Sequence, residues 1–495
     1  MDREIGVVIA THETPTPQEF HFVISESTIR DSIENGTFIQ VDHMDEKILG
    51  VIQSLRRVNR YYSSADIIHG SSTSSALNTI YPADRWDYLI AKVKILGSYL
   101  NSIKQRSTKP VMPGVKVYSV SENILEEFLG MDANGMYLGK VKQSKVLAKI
   151  NLDRILQKHL AILSISGGGK SYTTSVLIEE LLRRQINQGR PCIVLFDVHG
   201  EYKGLKSITN NPVFENSEVV VYSGSDIKLA LNNMSVGDFY KIIPSMSHAQ
   251  GRELSLILKS LSAQQKPFTI DQIISNIQQR EMNPLVKEAL FGWMLQLQNS
   301  YLFSSTENPM LENEIQPGKL LIFDLSSFTS LWKKRIIVHY FLTRLFELRR
   351  TRVIPPIINF IEEAHQFCPE IESSESKSII HTIAREGRKF LCSLVLISQR
   401  PINLSTTALS QCNSHLILRI LNPHDLTYIG RTSEGINAET LGLISDLGVG
   451  EALLVGEAVN YPVFIQIRKK LFISNYDDTS LEKESRRYDK MLTLT

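Results

Sequence analysis

The segment Ser166-Gly167-Gly168-Gly169-Lys170-Ser171 stands between a short apolar run, Leu160-Ala161-Ile162-Leu163, and a stretch with helical spacing that begins at Tyr172. A strand, a glycine-rich turn and a helix opening at Lys-Ser commit this part of the chain to an α/β fold, because backbone N–H groups and a helix N-terminus then converge on one anion. The pattern predicts a nucleoside triphosphate site, with Ser166, Gly167, Gly168, Gly169, Lys170, Ser171 and Tyr172 around the phosphates. Lys170 is expected to reach the β- and γ-phosphates, and the Ser171 hydroxyl to complete the shell of a magnesium ion. The general pattern G-x-x-x-x-G-K-[ST] has glycine where this chain has Ser164, so the loop is expected to begin its turn without a glycine's freedom at positive φ. A glycine-rich connector followed by a surface lysine is the plainer alternative. The strand and helix on either side argue against it.

The rest of the composition narrows the setting. A chain of 495 residues exceeds one ordinary core and, at roughly 150 residues per unit, suggests about three structural units. Lys+Arg 54 against Asp+Glu 52 leaves a net charge of +2, so any polyanion-binding surface must be a local patch. Cys192, Cys368, Cys392 and Cys412 are scattered without a C-x-x-C spacing, which points to buried reduced thiols rather than zinc or disulfides. The N-terminus lacks a signal-peptide hydrophobic region, and no apolar stretch approaches the roughly 20 residues of a spanning helix. The expectation is a cytoplasmic protein that is not embedded in a membrane.

Residues 1–122 read as a small β-barrel, because Gly6–Ala10, His21–Ile24, Thr37–Val41, Ile48–Ile52, Leu89–Val93 and Val115–Val120 are β-branched runs of strand length with few helical signals between them. The Ser/Thr/Asn-rich stretch from Tyr61 to Asp87 is expected to be a long surface loop. A short helix around Asn123–Leu129 then leads to Tyr137–Val141. Residues 123–233 and 305–475 alternate apolar strands with helices, which implies a mostly parallel sheet covered on both faces. The helix after the glycine loop is expected to span Tyr172–Asn187. Residues 234–304 carry only helical periodicity and read as a helical insertion, and 476–495 read as a charged C-terminal arm.

A phosphate loop needs an acid at the end of a neighbouring strand for magnesium, and hydrolysis needs a carboxylate to position water. Three strands end in acids: Asp197 with Glu201 soon after, Asp324, and Glu362-Glu363 after Ile361. Only the last offers two carboxylates in succession. Glu362 is therefore assigned to magnesium and Glu363 to the attacking water, against the alternative that both acids merely open a helix, a placement worth ~0.3–1 kcal/mol. Gln399, at the end of the following strand, is placed to sense the γ-phosphate or the water, since an amide both donates and accepts. Arg385 or Arg388 is a candidate arginine finger, and one that reaches a neighbour's nucleotide would put the sites at subunit interfaces. Arg56-Arg57, Arg349–Arg352 and Arg468-Lys469-Lys470 are basic clusters that read either as DNA contacts or as solvated faces.

In order along the chain, Asp197-Val198-His199-Gly200-Glu201-Tyr202, Ile361-Glu362-Glu363-Ala364-His365 with Pro369, Ala384–Lys389, Ile397–Pro401 and Gly450–Ala458 together resemble the HerA family of hexameric DNA translocases, within the FtsK–HerA group of RecA-like motors. The resemblance implies a RecA-like P-loop ATPase core, an N-terminal barrel like that of ATP synthase subunits, and a helical insertion. It implies a ring, normally of six, that encloses double-stranded DNA and converts ATP hydrolysis with Mg2+ into movement. In archaeal relatives of the family the barrel face docks the NurA nuclease, and the pair resects DNA ends for recombination. Carried onto this chain, Lys170 and Ser171 hold phosphates and magnesium, Glu363 is the catalytic acid, Gln399 the sensor, and Arg388, then Arg385, the finger in trans. Two other readings are a conjugation or secretion coupling motor and a nucleotide-gated DNA clamp with little motor activity.

Overall fold

The computed structural model describes residues 3–472 apart from 11–13, 26–32, 44–45, 60–86, 101–102, 106, 434–435 and 437, together with residues 482, 485 and 486. Most of the loop expected from Tyr61 and of the arm expected from 476 lies outside the described residues. The described residues of Met1–Asn151 and Leu453–Ile467 form one compact unit, and those of Leu152–Ala452 and Arg468–Thr495 form another.

In the first unit, β1 (Glu4–Ile9), β2 (Glu19–Ile24), β3 (Phe38–His43), β4 (Glu46–Asn59), β5 (Asp87–Leu100) and β7 (Lys116–Ser119) run in the order β2-β1-β7-β3-β4-β5, and β2 pairs with β5 to close the barrel. A further short strand, β6 (Ile103–Gln105), pairs with β5. Period-2 alternation drives this closure: Phe20, Phe22 and Ile24 on β2, and Ile39 and Val41 on β3, all point into one buried core. The six expected strands are all present, but two are not short. Strands β4 and β5 have 14 residues each, paired as far as Asn59 opposite Asp87. Their outer halves hold because Leu55 and Leu89 still pack against the barrel core, and Arg57 lies 3.6 Å from Asp87 across the pair. Beyond the barrel come the helix Glu122–Leu129, stopped by Gly130 at φ 79°, and the hairpin of β8 (Met136–Val141) and β9 (Leu147–Ile150), with Val463–Ile467 paired to β8.

The second unit is built on β10 (Leu160–Leu163), β11 (Cys192–Asp197), β12 (Glu218–Ser223), β15 (Lys319–Asp324), β16 (Ile357–Ile361), β17 (Cys392–Ser398) and β18 (Ser414–Ile417), in the order β12-β15-β11-β16-β17-β10-β18. Each of these neighbouring pairs is parallel. Strands β10, β11, β15, β16 and β17 are buried along their whole length, which is why they read as unbroken apolar runs. Helix Leu331–Arg350 covers one face, with Phe341 4.4 Å from Phe323 between ring centroids. All four cysteines are free and buried.

Between β12 and β15 lie two-residue strands β13 (Leu229–Ala230) and β14 (Phe303–Ser304) and, between those, helices Val236–Ile242, His248–Ser262, Ile270–Gln279 and Pro284–Asn299. Local chemistry starts two of these helices: Ser235 with Asp238, and Ser247 with Gln250, form reciprocal capping boxes. Polar contacts tie the insertion to the core helix, because His339 Nε2 lies 3.3 Å from Asp238 Oδ1 and Trp332 Nε1 donates to Ile242 O at 3.4 Å.

Parallel pairing brings the carboxyl ends of all seven strands to one edge. Strands β17 and β16 lie between β10 and β11 although β11 follows β10 in sequence, so the first crossover skips two positions and leaves a crevice at that edge. The helix that makes this crossover spans Lys170–Leu182, shorter than expected, and is followed by a single 3-10 turn at Ile186–Gln188.

Candidate nucleotide site

The glycine loop leaves β10 at Ser164, whose N–H donates to Ser398 O at 3.2 Å, while the Ile165 N–H donates to Arg419 O at 3.0 Å. Both flanking strands therefore hold the start of the loop as an extension of the sheet. Ser164 is fully buried, and the positive φ values fall on Gly167 at 74° and Gly169 at 93°. The awkward turn expected at Ser164 does not arise, since the chain turns only after Ser166. The serine acts elsewhere: its hydroxyl, donating to Ile165 O at 2.9 Å, fills the space that a Cβ on Gly168 would need. Gly168→Ala is accordingly expected to weaken ATP binding by about tenfold or more, the overpacking cost of one methyl group. Adding Ser164→Gly should restore most of that affinity, which titration of a fluorescent ATP analogue into the single and double variants will measure.

The three strand-end acids have separate fates. Asp197 accepts from the N–H groups of Gly200 at 2.7 Å, Glu201 at 3.2 Å and Tyr202 at 3.0 Å, so it caps the turn after its own strand. Asp324 is held by Lys203 at 2.7 Å. Glu363 alone is ion-paired to the loop lysine, with Lys170 Nζ donating to its Oε1. Strand β17 separates β16 from β10, so this pair spans one intervening strand, and Gln399 is the residue just past that strand's end. The structure thus brings Lys170, Glu363 and the Gln399 position to one crevice.

Glu363 is itself unusual, a non-glycine residue at φ 48° and ψ 45°. Such left-handed backbone costs about 1–3 kcal/mol and persists where surrounding structure imposes it. Here the cause is visible. The carboxylate is buried against Lys170, and His365 Nδ1 lies 3.4 Å from Glu363 Oε2 and 3.1 Å from Ser398 Oγ. Burial lowers the His365 pKa, which keeps that imidazole neutral at pH 7.

Glu362 faces the other way, accepting at Oε2 from Val198 N–H at 2.8 Å and His199 N–H at 3.3 Å. Burial, and then the neighbouring Asp197 carboxylate, push its pKa up to about 9. Its Oε1 is buried without a hydrogen-bond partner, an atom left over for a further ligand. Ser171 is not on Glu362: its hydroxyl donates to Glu201. Sequence reasoning left Glu201 without a role, although its position four residues past a strand-end aspartate was a usable signal. Together Ser171, Glu201 and Glu362 offer only hard oxygen donors, the set that suits Mg2+.

The two arginines are elsewhere. Arg385 and Arg388 lie on the exposed side of helix Lys377–Phe390, and Arg385 Nε donates to His381 O at 3.3 Å. Gly387, between them, lies against Cys392 O and the His159 ring, at the amino ends of β17 and β10. His159 is buried there, joined to Ala384 O at 3.0 Å and to Leu394 N–H at 2.9 Å, and burial holds its pKa at about 4. That is the edge of the sheet opposite the glycine loop. Of the basic clusters, Arg468 belongs to neither expected class, being buried between Glu179 at 2.7 Å and Glu180 at 2.8 Å. Arg349 donates to Ile354 O at 2.7 Å and closes the end of its helix, while Arg56 and Arg57 are exposed.

A buried parallel sheet with a glycine loop at the carboxyl end of one strand, and an acid reaching the loop lysine from two strands away, defines a RecA-like P-loop ATPase. The neighbouring folds agree. VirB4 of Thermoanaerobacter pseudethanolicus superposes with a TM-score of 0.53 at 16% identity, covering 69% of this chain and 98% of VirB4. The plasmid coupling protein TrwB superposes at 0.50 and 12% identity, covering 72% and 94%. Residues 136–345 match the family model described as the helicase HerA central domain. The DNA double-strand break repair helicase HerA of Sulfolobus acidocaldarius is 27% identical over 94% of this chain and 96% of its own length. Its namesake in Pyrococcus furiosus is 25% identical over 91% and 90%. These similarities support the HerA family for this chain, and it is an ATPase of the helicase class.

Proposed function

We propose that this chain is a ring-forming motor, normally of six subunits, that hydrolyses ATP to move along double-stranded DNA in the resection of broken ends, with a NurA-type nuclease as partner. The observation that carries the reading is the Lys170–Glu363 pair across the end of β17, because it sets a phosphate-binding cation beside a buried carboxylate and leaves Gln399 at the intervening strand. Ser166, Gly167, Gly168, Gly169, Lys170, Ser171 and Tyr172 cradle the phosphates through backbone N–H groups and the helix N-terminus. Entry of the γ-phosphate draws Lys170 away from Glu363 and frees that carboxylate to accept a proton from water. Gln399 orients the same water. Ser171 and Glu362, with Glu201, would hold Mg2+, which when bound neutralises phosphate charge. Arg388, with Arg385 second, completes a neighbour's site, since neither reaches the crevice within its own subunit. Such a motor would work in the cytoplasm on free DNA ends; among the described residues no helix is long and apolar enough to cross a membrane.

Two measurements test the proposal. Linear duplex DNA should raise ATP consumption several-fold in the wild type and not in Lys170→Ala, and native mass measurement should find six copies per particle. Hydrolysis indifferent to DNA would instead favour a clamp, and DNA-stimulated turnover surviving in Lys170→Ala would remove the site assignment.

A further inference from the structure

The helix that follows the glycine loop is strapped along its flank by residues 468–472. Glu179, fully buried on that helix, accepts from Arg468 Nη1 at 2.7 Å and, through its two oxygens, from the N–H groups of Leu471 at 3.0 and 3.1 Å and Phe472 at 3.1 Å. Arg468 Nη2 also donates to Glu180 at 2.8 Å. A buried carboxylate that binds a guanidinium and two backbone donors fixes the strap's register.

That register delivers one more cation. Lys470 Nζ lies 4.8 Å from the centroid of the Tyr172 ring, and the Lys470 N–H donates to Tyr172 Oη at 2.8 Å. Tyr172 directly follows Ser171, whose hydroxyl is held by Glu201, and the Lys470 ammonium feels the charges of both Glu179 and Glu201. A lysine held half-buried over an aromatic face gains from the ring while its remaining N–H donors stay available. The loop also has a polarity. Lys170 faces Glu363, where the γ-phosphate must lie for hydrolysis, so Tyr172, two residues further along the start of the helix and past Ser171, lies on the nucleoside side of the site.

We propose that Lys470 is a second phosphate-binding lysine of this site, directed at the α-phosphate of the bound nucleotide and carried to it by the strap on helix Lys170–Leu182. The inference rests on the nucleotide site proposed above, and it assigns a role to the C-terminal segment that the motor reading alone does not.

An α-phosphate contact serves ATP and ADP alike, which makes the test specific. Titration calorimetry of the full-length protein with ATP and with ADP, in the presence of Mg2+, should show both dissociation constants rising about tenfold in Lys470→Ala and Lys470→Met, the scale of one charge-assisted contact. The KM for ATP should rise by a similar factor with kcat at saturation within about twofold, and Lys470→Arg should recover most of the affinity. Melting temperatures should stay near the wild-type value, because the strap's anchors at Arg468, Leu471 and Phe472 are untouched. Unchanged affinity in Lys470→Ala would overturn the inference, as would an equal loss in Lys470→Arg, which would mean that packing and not charge was removed. Failure of the wild type to bind either nucleotide would instead overturn the nucleotide site itself, and this inference with it.

Discussion

Glu363→Gln should retain ATP and hydrolyse it about 10²- to 10⁴-fold more slowly, the usual contribution of a positioned proton acceptor. The amide keeps the size of the side chain and can still accept a hydrogen bond from Lys170, so binding and assembly should persist. What it loses is the capacity to take a proton from water. The buried setting makes the loss severe, because Glu363 is nearly inaccessible and, among the described residues, no other carboxylate is paired to Lys170. Asp197 is committed to three backbone N–H groups and Asp324 to Lys203, so neither can substitute. Single-turnover measurement of phosphate release, with a parallel nucleotide-binding titration, separates the two steps. Turnover within tenfold of the wild type would remove Glu363 from the reaction. The left-handed backbone at Glu363 adds a second expectation for the same variant: it should be no less stable than the wild type, since the substitution leaves the backbone strain and the hydrogen bond in place.

Arg388→Ala should lower ATP turnover by about 10³-fold or more, within the range for arginine fingers, while leaving the affinity of isolated subunits for nucleotide almost unchanged. The geometry separates these effects. Within one chain Arg388 sits on an exposed helical face near the amino ends of β17 and β10, whereas the glycine loop lies at the carboxyl end of β10. In the proposed ring, a guanidinium so placed serves another subunit's site. The sharpest version mixes two inactive chains. Rings assembled from Glu363→Gln and Arg388→Ala subunits contain some interfaces with an intact Glu363 on one side and an intact Arg388 on the other, and those should hydrolyse ATP. If both residues acted within one chain, every site in the mixed ring would lack one of them and activity would stay at background. Arg385→Ala should cost less, because its guanidinium is partly engaged with His381 O.

Much of this arrangement was legible in the chain because its signals are local. Six β-branched runs named the barrel strands, and apolar residues at helical spacing named the insertion, since both periodicities depend on neighbours within a turn or two. The length of β4 and β5 was not legible, because their outer residues stay in the ladder through pairing with each other and through Leu55 and Leu89 reaching back to the barrel core. Arg468 looked like surface charge for the same kind of reason. Its partners Glu179 and Glu180 lie nearly 290 positions away in sequence, and nothing near it announces burial.

By itself the sequence determined the glycine loop, the class of strand that carries it and the pair of adjacent acids, since each is a property of a few consecutive residues. Only the tertiary structure decided which acid meets Lys170, that Ser171 is held by Glu201, and that the arginines face away. Those outcomes depend on strand order. Placing β17 and β16 between β10 and β11 sets Glu363 one strand beyond the loop's neighbour, and no short-range pattern encodes that order. Even Ser164 shows the division: its departure from glycine is plain in the chain, but its harmlessness follows from the hydrogen bonds at Ser398 and Arg419 that hold the loop straight until Ser166.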